Sequence, residues 1–421
     1  MPTEPTAEDR AFGRRVAELR KARDMKQDEL AARMRRTSSW MSQVERGRIP
    51  VRRLDLLQQL ADELGVSVQT LNPAVPTTAR TEPPAPARDA GAVNDLDGAR
   101  LLISGHPALD VLLPGSQTTA APSPSVEELV TRVEHVWELA HASQFADMSA
   151  ALQSLVPDLE RALRVVPSDQ RRAVSRLLAR TYQALSAAFV RQDEADAAWI
   201  AADRAIRAAE ESGDPLAVGA GVFRLAQAFV RLQRLDQAEY AARNAVQVIE
   251  LHVADRPAAP EELSVIGSLH LALALVYARG SRRPEARAEI EAARLAARAL
   301  GADRNDYNLE FGPTNCEIQA VSTAVELGDA GEALDVGLDL DPTELSPERQ
   351  ARLYLDLGRA HVQRRHPGEA LDCLLRAEEL APETVRSHVA ARAAIRELVL
   401  IAGRSAPPEL LDLAERADAT E

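Results

Sequence analysis

A pattern of small and apolar residues returns at intervals of roughly forty residues through the second half of the chain, and no other feature constrains the fold as strongly. Self-similarity at this period is typical of stacked helical hairpins, each of which buries its apolar face against the next. Aromatic residues make up only 3% of the sequence, so Ala, Leu and Val must fill the core, which suits closely packed helices better than β-sandwiches. Successive copies of the pattern are Leu185, Ser186, Phe189, Ala198, Ala202 and Ala205; Leu225, Ala226, Phe229, Ala238, Ala242 and Ala245; Leu273, Ala274, Tyr277, Ala286, Ile290 and Ala293; Ala320, Val321, Ala324, Gly328, Ala333 and Leu340; and Leu357, Gly358, His361, Ala370, Leu374, Ala377 and Pro382.

This spacing resembles the tetratricopeptide repeat, in which two helices cross at a small residue flanked by apolar ones. The resemblance implies a right-handed superhelical solenoid whose concave side is lined by the first helix of each pair. We therefore expect residues 125–418 to form a helical-repeat domain for sensing and dimerisation. Its first hairpin, over 125–166, looks atypical, and residues 384–418 should form helices that close the other end.

The repeat register also predicts which side chains face the concave side, and many of them are arginines. Inward-facing arginines suit an acidic ligand or a peptide with a free carboxylate, but they would equally serve to pair with Glu and Asp of neighbouring helices. Asn side chains in the run "RNDYNLEFGPTNCEIQA" could clamp a peptide backbone or cap a long turn. The predicted ligand-groove residues are Arg180, Gln183, Arg191, Gln227, Arg231, Arg279, Asn308, Asn315, Arg352 and Arg359.

Charge is distributed unevenly along the chain. The net charge is −14, yet residues 9–53 carry an excess of eight positive charges. A small basic head on a large acidic body predicts a nucleic-acid-binding unit attached to a domain with another task. Between them, residues 72–124 are rich in Pro and Ala, which is typical of a linker.

Apolar spacing divides the basic head, residues 9–71, into five short helices. Phe12, Val16 and Leu19 mark the first, the second starts near Gln27, and the third starts at Ser38 or Ser39 and stops before Gly47. A fourth helix is expected over about 51–64 and a short fifth ends near residue 71. Two short helices joined by a tight turn within such a unit predict a helix-turn-helix.

The run "QDELAARMRRTSSWMSQVERGRIPVRRLDLLQQLADELGVSVQTL" resembles the Cro/lambda-repressor (XRE) helix-turn-helix family across its whole motif. The resemblance implies a lambda-repressor-like DNA-binding domain that reads double-stranded DNA with its third helix. One departure is Arg35, which stands where the family usually has Gly. The implied base-reading residues are Ser38, Ser39, Ser42 and Gln43. The implied phosphate-contacting residues are Gln27, Arg35, Arg36, Arg46, Arg48, Arg52 and Arg53.

The complete layout resembles the Rgg/PlcR/PrgX class of peptide-responsive regulators. It implies a sequence-specific transcriptional regulator whose repeat domain binds a quorum-sensing peptide or another signalling ligand. It also implies a homodimer on a near-palindromic operator. The alternative is a protein-interaction scaffold that captures a partner protein and uses DNA binding for tethering.

Signals of catalysis are poor. The sequence has no Gly-rich phosphate loop with a Lys and no nucleophile with a matched base. His135, Glu138 and His141 follow helical spacing without a further ligand in view. We therefore expect no enzymatic activity, no catalytic residue, no cofactor and no metal site. Without a signal peptide or a long apolar run, a cytoplasmic, nucleoid-associated protein with no membrane partner is expected.

Overall fold

The computed structural model describes residues 7–23, 25–34, 38–48, 51, 54–64, 66, 71, 95–106 and 124–420. The chain divides into two compact units, one within Met1–Ala87 and one over Arg88–Thr420. The regular elements of the described part are helices, and the β-pairing found there is an isolated bridge between Arg304 and Phe311. The expected all-α fold class is therefore confirmed.

The N-terminal unit contains four described helices around one small core. They are α1 (Ala7–Lys21), α2 (Gln27–Arg33), α3 (Ser38–Glu45) and α4 (Leu54–Glu63). The expected stripe on α1 is buried at Phe12 and Val16, whereas Leu19 is half-buried. The predicted fifth helix falls mainly on positions outside the described residues. Other apolar side chains of this core are Leu30, Ala31, Met34, Met41, Val44, Leu57, Leu60, Ala61, Leu64 and Leu71.

Two glycines fix the position and the end of α3. A Cβ added at Gly13 would lie 2.4 Å from the carbonyl oxygen of Val44, so α1 meets the end of α3 at backbone distance. Gly47 has a φ of +70°, which a Cβ would disfavour, and it stops the helix where the sequence predicted. The third helix is thus held tightly against the first.

The second unit is built almost entirely from antiparallel helical pairs. Its helices are α5 (Asp97–Ser104), α6 (Val126–His141), α7 (Phe145–Val165), α8 (Ser168–Arg191), α9 (Ala195–Ser212), α10 (Pro215–Arg231), α11 (Leu235–Val253), α12 (Pro260–Arg279), α13 (Arg283–Leu300), α14 (Pro313–Leu327), α15 (Ala330–Gly337), α16 (Pro347–Arg364), α17 (Pro367–Leu380), α18 (Pro382–Ser387), α19 (Val389–Ala402) and α20 (Pro408–Arg416).

One turn geometry joins the helices of each pair from α6/α7 to α16/α17. A left-handed residue follows the first helix, and the next N–H donates to the carbonyl five residues earlier at 2.8–2.9 Å. Because residues 125–166 contain the same turn at Ser143, the hairpin expected to be atypical joins the series at its turn. The left-handed residues are Ser143, Asp193, Gln233, Ser281, Gly328 and Arg365, with φ between 56° and 81°.

The repeat pattern marks the places where helices cross. In α8/α9, Phe189 of the first helix and Ala198 and Ala202 of the second are fully buried, and Tyr277 and Ala286 repeat this in α12/α13. Small residues let the paired backbones approach closely, as the sequence pattern predicted. Helix α12 is long and apolar enough to cross a membrane, but 78% of its apolar window is buried within this unit, where it forms part of the core.

Helix α5 lies within residues 72–124, which the sequence suggested as a linker. Its residues Ala99 and Ile103 are buried against the repeat unit, and the Ala99 N–H donates to Ser149 Oγ at 3.0 Å. Arg100 forms ion pairs with Glu194 and Asp196 of the second hairpin. This part of the expected linker is helical because the apolar residues within 97–104 recur at helical spacing and make an amphipathic helix. The helix packs within the second unit.

Candidate functional site

The third helix, α3, presents the face that the sequence predicted to read DNA. Met41 and Val44 are fully buried and fix the inner side of the helix. On the other side Ser38 is exposed, and Ser42 and Gln43 are half-buried. The side chain of Ser39 lies outside the described residues. The assignment of these four residues to base reading stays a prediction.

A polar network locks α3 to the two helices before it. Arg20 of α1 donates to both carboxylate oxygens of Glu45, at 2.6 and 3.1 Å, and to the carbonyl of Met25 at 2.6 Å. Gln27 Nε2 donates to Glu45 Oε2 at 2.8 Å. The amide N–H₂ of Gln27, a predicted phosphate contact, is therefore engaged in holding α2 against α3.

The predicted phosphate-contacting arginines are described only in part. Arg46 is exposed and folds back along α3, where its Nε donates to the carbonyl of Ser42 at 3.1 Å and its Nη2 to the Ser42 hydroxyl. Arg48 is exposed just past the helix, and its N–H donates to the carbonyl of Gln43. Predicted contacts that lie outside the described residues are Arg35, Arg36, Arg52 and Arg53.

The inner side of the repeat unit contains a cavity of about 90 Å³ into which six arginines converge. They come from the first helices of four hairpins, α8, α10, α12 and α16. His388, between α18 and α19, lines the same cavity, and Glu348 is the acidic residue of its lining. The converging arginines are Arg191, Arg224, Arg231, Arg279, Arg349 and Arg352.

Five of the predicted groove residues line this cavity, namely Arg191, Gln227, Arg231, Arg279 and Arg352. The other five do not. Gln183 is buried, and its Nε2 donates to the carbonyl of Ala217 at 3.0 Å. Arg180 is half-buried, and burial lowers the pKa of its guanidinium.

Both predicted asparagines belong to the loop between α13 and α14. Asn315 is buried and its Nδ2 donates to the carbonyl of Glu310, so it supports the loop from within. The carbonyl of Asn308 accepts a hydrogen bond from Arg224 at 2.7 Å. These contacts agree with the interpretation of Asn315 as part of a capped turn, and they do not place either amide in the cavity.

Arg359 shows what a structural arginine looks like in this unit. It donates to Asp356 at 2.7 Å and to Glu326 at 2.8 Å. Burial works to lower its pKa, but these two carboxylates raise it above the ordinary value. They are themselves held ionised, since Arg352 and Arg359 outweigh burial and lower the pKa of Asp356. Arg359 is thus a fully paired ion in the wall behind the cavity.

At the end of the cavity nearer α8, arginines and acids are also paired. Arg191 donates to the carbonyl of Ala140 at 2.7 Å and to Glu348 at 3.2 Å, which joins the second hairpin to the sixth. Arg349 donates to Glu310 at 3.3 Å. Burial alone would raise the pKa of Glu348, but Arg191 and Arg349 hold it at about 2. These ion pairs connect opposite sides of the inner face.

The end of the cavity nearer α18 has a different balance of positive and negative side chains. Arg231 Nη2 lies 2.8 Å and Arg352 Nη1 3.2 Å from the same atom, Nε2 of His388. Because a guanidinium only donates, His388 Nε2 accepts both bonds and the ring carries its proton on Nδ1. Burial and the neighbouring arginines hold the pKa of His388 well below its ordinary value.

Arg231 has no salt-bridge partner in the part of the chain that the structure describes. Burial, together with Arg352 and Arg279, lowers the pKa of its guanidinium to about 10. Arg279 comes no closer than 3.6 Å to Glu326, and burial lowers its pKa as well. The charge at this end is therefore only partly compensated.

Arg224, Arg349 and His388 were not predicted from the sequence. Arg224 precedes Arg231 by two helical turns on α10, and Arg349 precedes Arg352 by about one turn on α16, so helical spacing alone could have found them. Arg224 is fully buried beside Trp137 and Phe223, and burial lowers its pKa to about 9. His388 carried no signal, because it falls between helices that do not follow the repeat.

This lining is suited to binding rather than to chemistry on a substrate. Guanidinium groups donate hydrogen bonds in a fixed fork that matches carboxylate and phosphate oxygens. Within the described residues, no group of three or more His, Cys, Asp or Glu side chains is placed to hold a metal ion. The cavity is a candidate anion site.

Comparison with known proteins confirms the nature of the N-terminal unit. Residues 11–73 match the family model described as a helix-turn-helix domain. The N-terminal unit is a helix-turn-helix DNA-binding domain. No curated protein sequence matches the chain.

Solved structures are similar to this chain over much of its length. One is PlcR of Bacillus thuringiensis, solved in complex with the peptide PapR7 and DNA; it shares 11% identity and a TM-score of 0.35 over 92% of this chain and 99% of that one. Another is the apo form of the competence regulator ComR from Streptococcus vestibularis, with 13% identity and a TM-score of 0.22 over 76% of this chain and 99% of that one.

Proposed function

We propose that the protein is a sequence-specific transcriptional regulator whose repeat unit senses an acidic ligand, such as a short peptide with a free carboxylate. The helix-turn-helix over residues 9–71 binds DNA, with Ser38, Ser39, Ser42 and Gln43 facing the bases. The repeat unit binds the ligand in its arginine-lined cavity. The protein acts in the cytoplasm and has no enzymatic activity.

The observation that carries this proposal is the arginine cavity in a unit that is acidic overall. Residues 72–421 carry a large negative charge, yet six arginines and one glutamate line the cavity. Ion pairs scattered over the protein surface would not concentrate arginines in one cavity, because they place arginines beside acids along the outer helices. An anionic ligand would supply the missing negative charge.

DNA binding and ligand binding are coupled through a homodimer in this proposal. Two recognition helices about 34 Å apart match adjacent half-sites of a near-palindromic operator. The ligand shifts the protein between two arrangements only if it binds them with different affinity. The contact between Arg191 and Glu348 joins the second and sixth hairpins, so a ligand that alters it changes the curvature of the repeat unit.

The test begins with purified full-length protein and fragments of its own genome. Bound fragments are selected at physiological salt, and the best site is footprinted. A footprint of two related half-sites supports a dimeric regulator, and the same probe then reports which acidic peptides change binding.

Two results would contradict the proposed function. If no fragment binds above random DNA, with or without pooled acidic peptides, the protein is not a sequence-specific regulator. Specific DNA binding that no acidic ligand changes would instead contradict the sensing role. Retention of a folded partner protein on the repeat unit would then favour the scaffold alternative.

A further inference from the structure

We infer that the α18 end of the cavity binds a compact head group carrying two negative charges, held by Arg231, Arg279, Arg352 and His388. A phosphate monoester and an acidic C-terminal residue with its two carboxylates both present this chemistry. The inference rests on the proposed sensing function and names the chemical class of its ligand.

Among the groups within salt-bridge distance of one another, the charge balance at this end leaves an excess of two positive charges, and exposed Asp193 acts on Arg231 only from farther away. Arg359 is fully paired, and Arg352 shares Asp356 with it at 2.8 Å. Arg231 has no carboxylate partner among the described residues. The groups that make up this balance are the cations Arg231, Arg279, Arg352 and Arg359 and the anions Glu326 and Asp356.

The hydrogen-bonding inventory points to the same ligand. Arg279 Nε and His388 Nδ1 are buried, and neither has a hydrogen-bond partner within the described chain. With the ring proton on Nδ1, both are donors that the described chain leaves unsatisfied, and the guanidiniums of Arg231 and Arg352 add N–H groups to the lining of the cavity. A lining that offers donors with few acceptors is complementary to an oxyanion, which only accepts.

The size of the cavity limits what enters it. A volume of about 90 Å³ is well below the roughly 300–1,000 Å³ of sites that enclose drug-sized ligands. A phosphate or one small acidic residue is of the appropriate scale, whereas a complete peptide must extend beyond the cavity. The head group is therefore the part of the ligand that the arginines recognise.

An internal structural role for these arginines is a weaker explanation. Arg359 shows that the same wall can satisfy a buried guanidinium with two carboxylates at 2.7–2.8 Å. Arg231 instead donates to a neutral imidazole, the weaker acceptor, and faces two further cations. A carboxylate at the position of His388 would pair with Arg231 more strongly than the imidazole does.

The experiment measures binding to the full chain by calorimetry and by thermal shift, at constant ionic strength. The doubly charged probes are inorganic phosphate at pH 8 and N-acetylglutamate; the singly charged probes are chloride and N-acetylalanine. Saturable binding of a doubly charged probe, without the same response to the singly charged ones, is expected. Binding of phosphate alone or of N-acetylglutamate alone identifies which source the site prefers.

Variants localise the site. Arg231→Gln should weaken binding of the doubly charged probe about tenfold or more, since it removes a charged hydrogen-bond donor. Arg283→Gln is the matched control, because Arg283 is an exposed arginine on α13 paired with Asp329. The inference is overturned if all anions act alike, if no probe binds, or if Arg231→Gln binds as tightly as Arg283→Gln.

DNA binding distinguishes this failure from failure of the proposed function. If the protein selects a specific DNA site and a peptide modulates it, but no doubly charged probe binds or competes, then the head-group assignment alone is wrong. If the probes bind as expected but no DNA site is selected, the anion site stands and the regulatory function is wrong.

Discussion

Replacing Arg231 with Met should stabilise the protein in the absence of ligand. The substitution keeps most of the apolar volume of the side chain and removes a half-buried charge that has no carboxylate within salt-bridge distance among the described residues. Burial and two neighbouring arginines lower the pKa of Arg231 from 12.5 to about 10. At about 1.36 kcal/mol per pKa unit, holding this charge in the folded state costs roughly 3 kcal/mol.

The sign of this effect follows from proton linkage. The unfolded state binds the Arg231 proton more firmly than the folded state, so the penalty is complete at every pH below about 10 and is relieved only as pH rises from there towards 12.5. At neutral pH the substitution removes all of it. Loss of the hydrogen bond from this charged donor to His388 offsets about 1.5–2 kcal/mol of that gain, and Arg352 still donates to the same nitrogen.

The expected net change is therefore a gain of about 1–2 kcal/mol, or a rise of a few degrees in the melting temperature of the repeat unit. Thermal and urea unfolding at pH 7 and low salt measure it. Arg359→Met is the matched control, and it should lose about 1.5–3 kcal/mol because it takes from buried Asp356 one of its two arginine partners and leaves half-buried Glu326 with Arg279 at 3.6 Å. A loss at Arg231 comparable to that at Arg359 would refute the reasoning and make Arg231 structural.

Three further predictions concern both units. Gln43→Ala should cost about 1–3 kcal/mol of discrimination at one base pair of the selected site, and unchanged preference in a competition assay against single-base variants would remove Gln43 from base reading. Glu45→Gln should lower the unfolding free energy of the N-terminal unit by about 1–3 kcal/mol, because Arg20 and Gln27 both donate to it; unchanged urea unfolding would show that the network is dispensable. Glu348→Gln should lower the unfolding free energy of the repeat unit above pH 4.5. This loss of stability should shrink as pH falls towards 2, since the neighbouring arginines hold the pKa of Glu348 at about 2. A loss that does not vary with pH would contradict this.

The fold was predictable because small residues in the sequence mark the positions where two helices cross. Ala198, Ala202 and Ala286 are fully buried where the repeat pattern placed them. The shared turns were less visible, since the left-handed position is a glycine only at Gly328 and carries Ser, Asp, Gln or Arg elsewhere. In such hairpins the local hydrogen bond and the packed helices impose the turn, so its residue type is a poor signal.

The site was predictable only where the helical register determines direction. The register placed Arg191, Arg231 and Arg279 on the inner side, and all three line the cavity. It could not separate them from Arg359, because that distinction depends on which carboxylates of other hairpins come within reach. Such contacts join residues far apart in sequence, as Arg191 and Glu348 do.

The same long-range contacts explain how a unit with a negative net charge can hold a cationic cavity, the place where we propose that an anion binds. Acids such as Glu326 and Asp356 stand behind the cavity and neutralise part of its charge, which limits the cost of burial without filling the site. The uncompensated remainder makes the folded protein less stable than it would be with a neutral side chain at position 231. In our proposal an anion removes this penalty only where the arginines converge, so it favours the arrangement in which they converge over any arrangement that separates them. A site built from fully paired ions would bind the anion weakly in both arrangements and could transmit nothing to the DNA-binding unit.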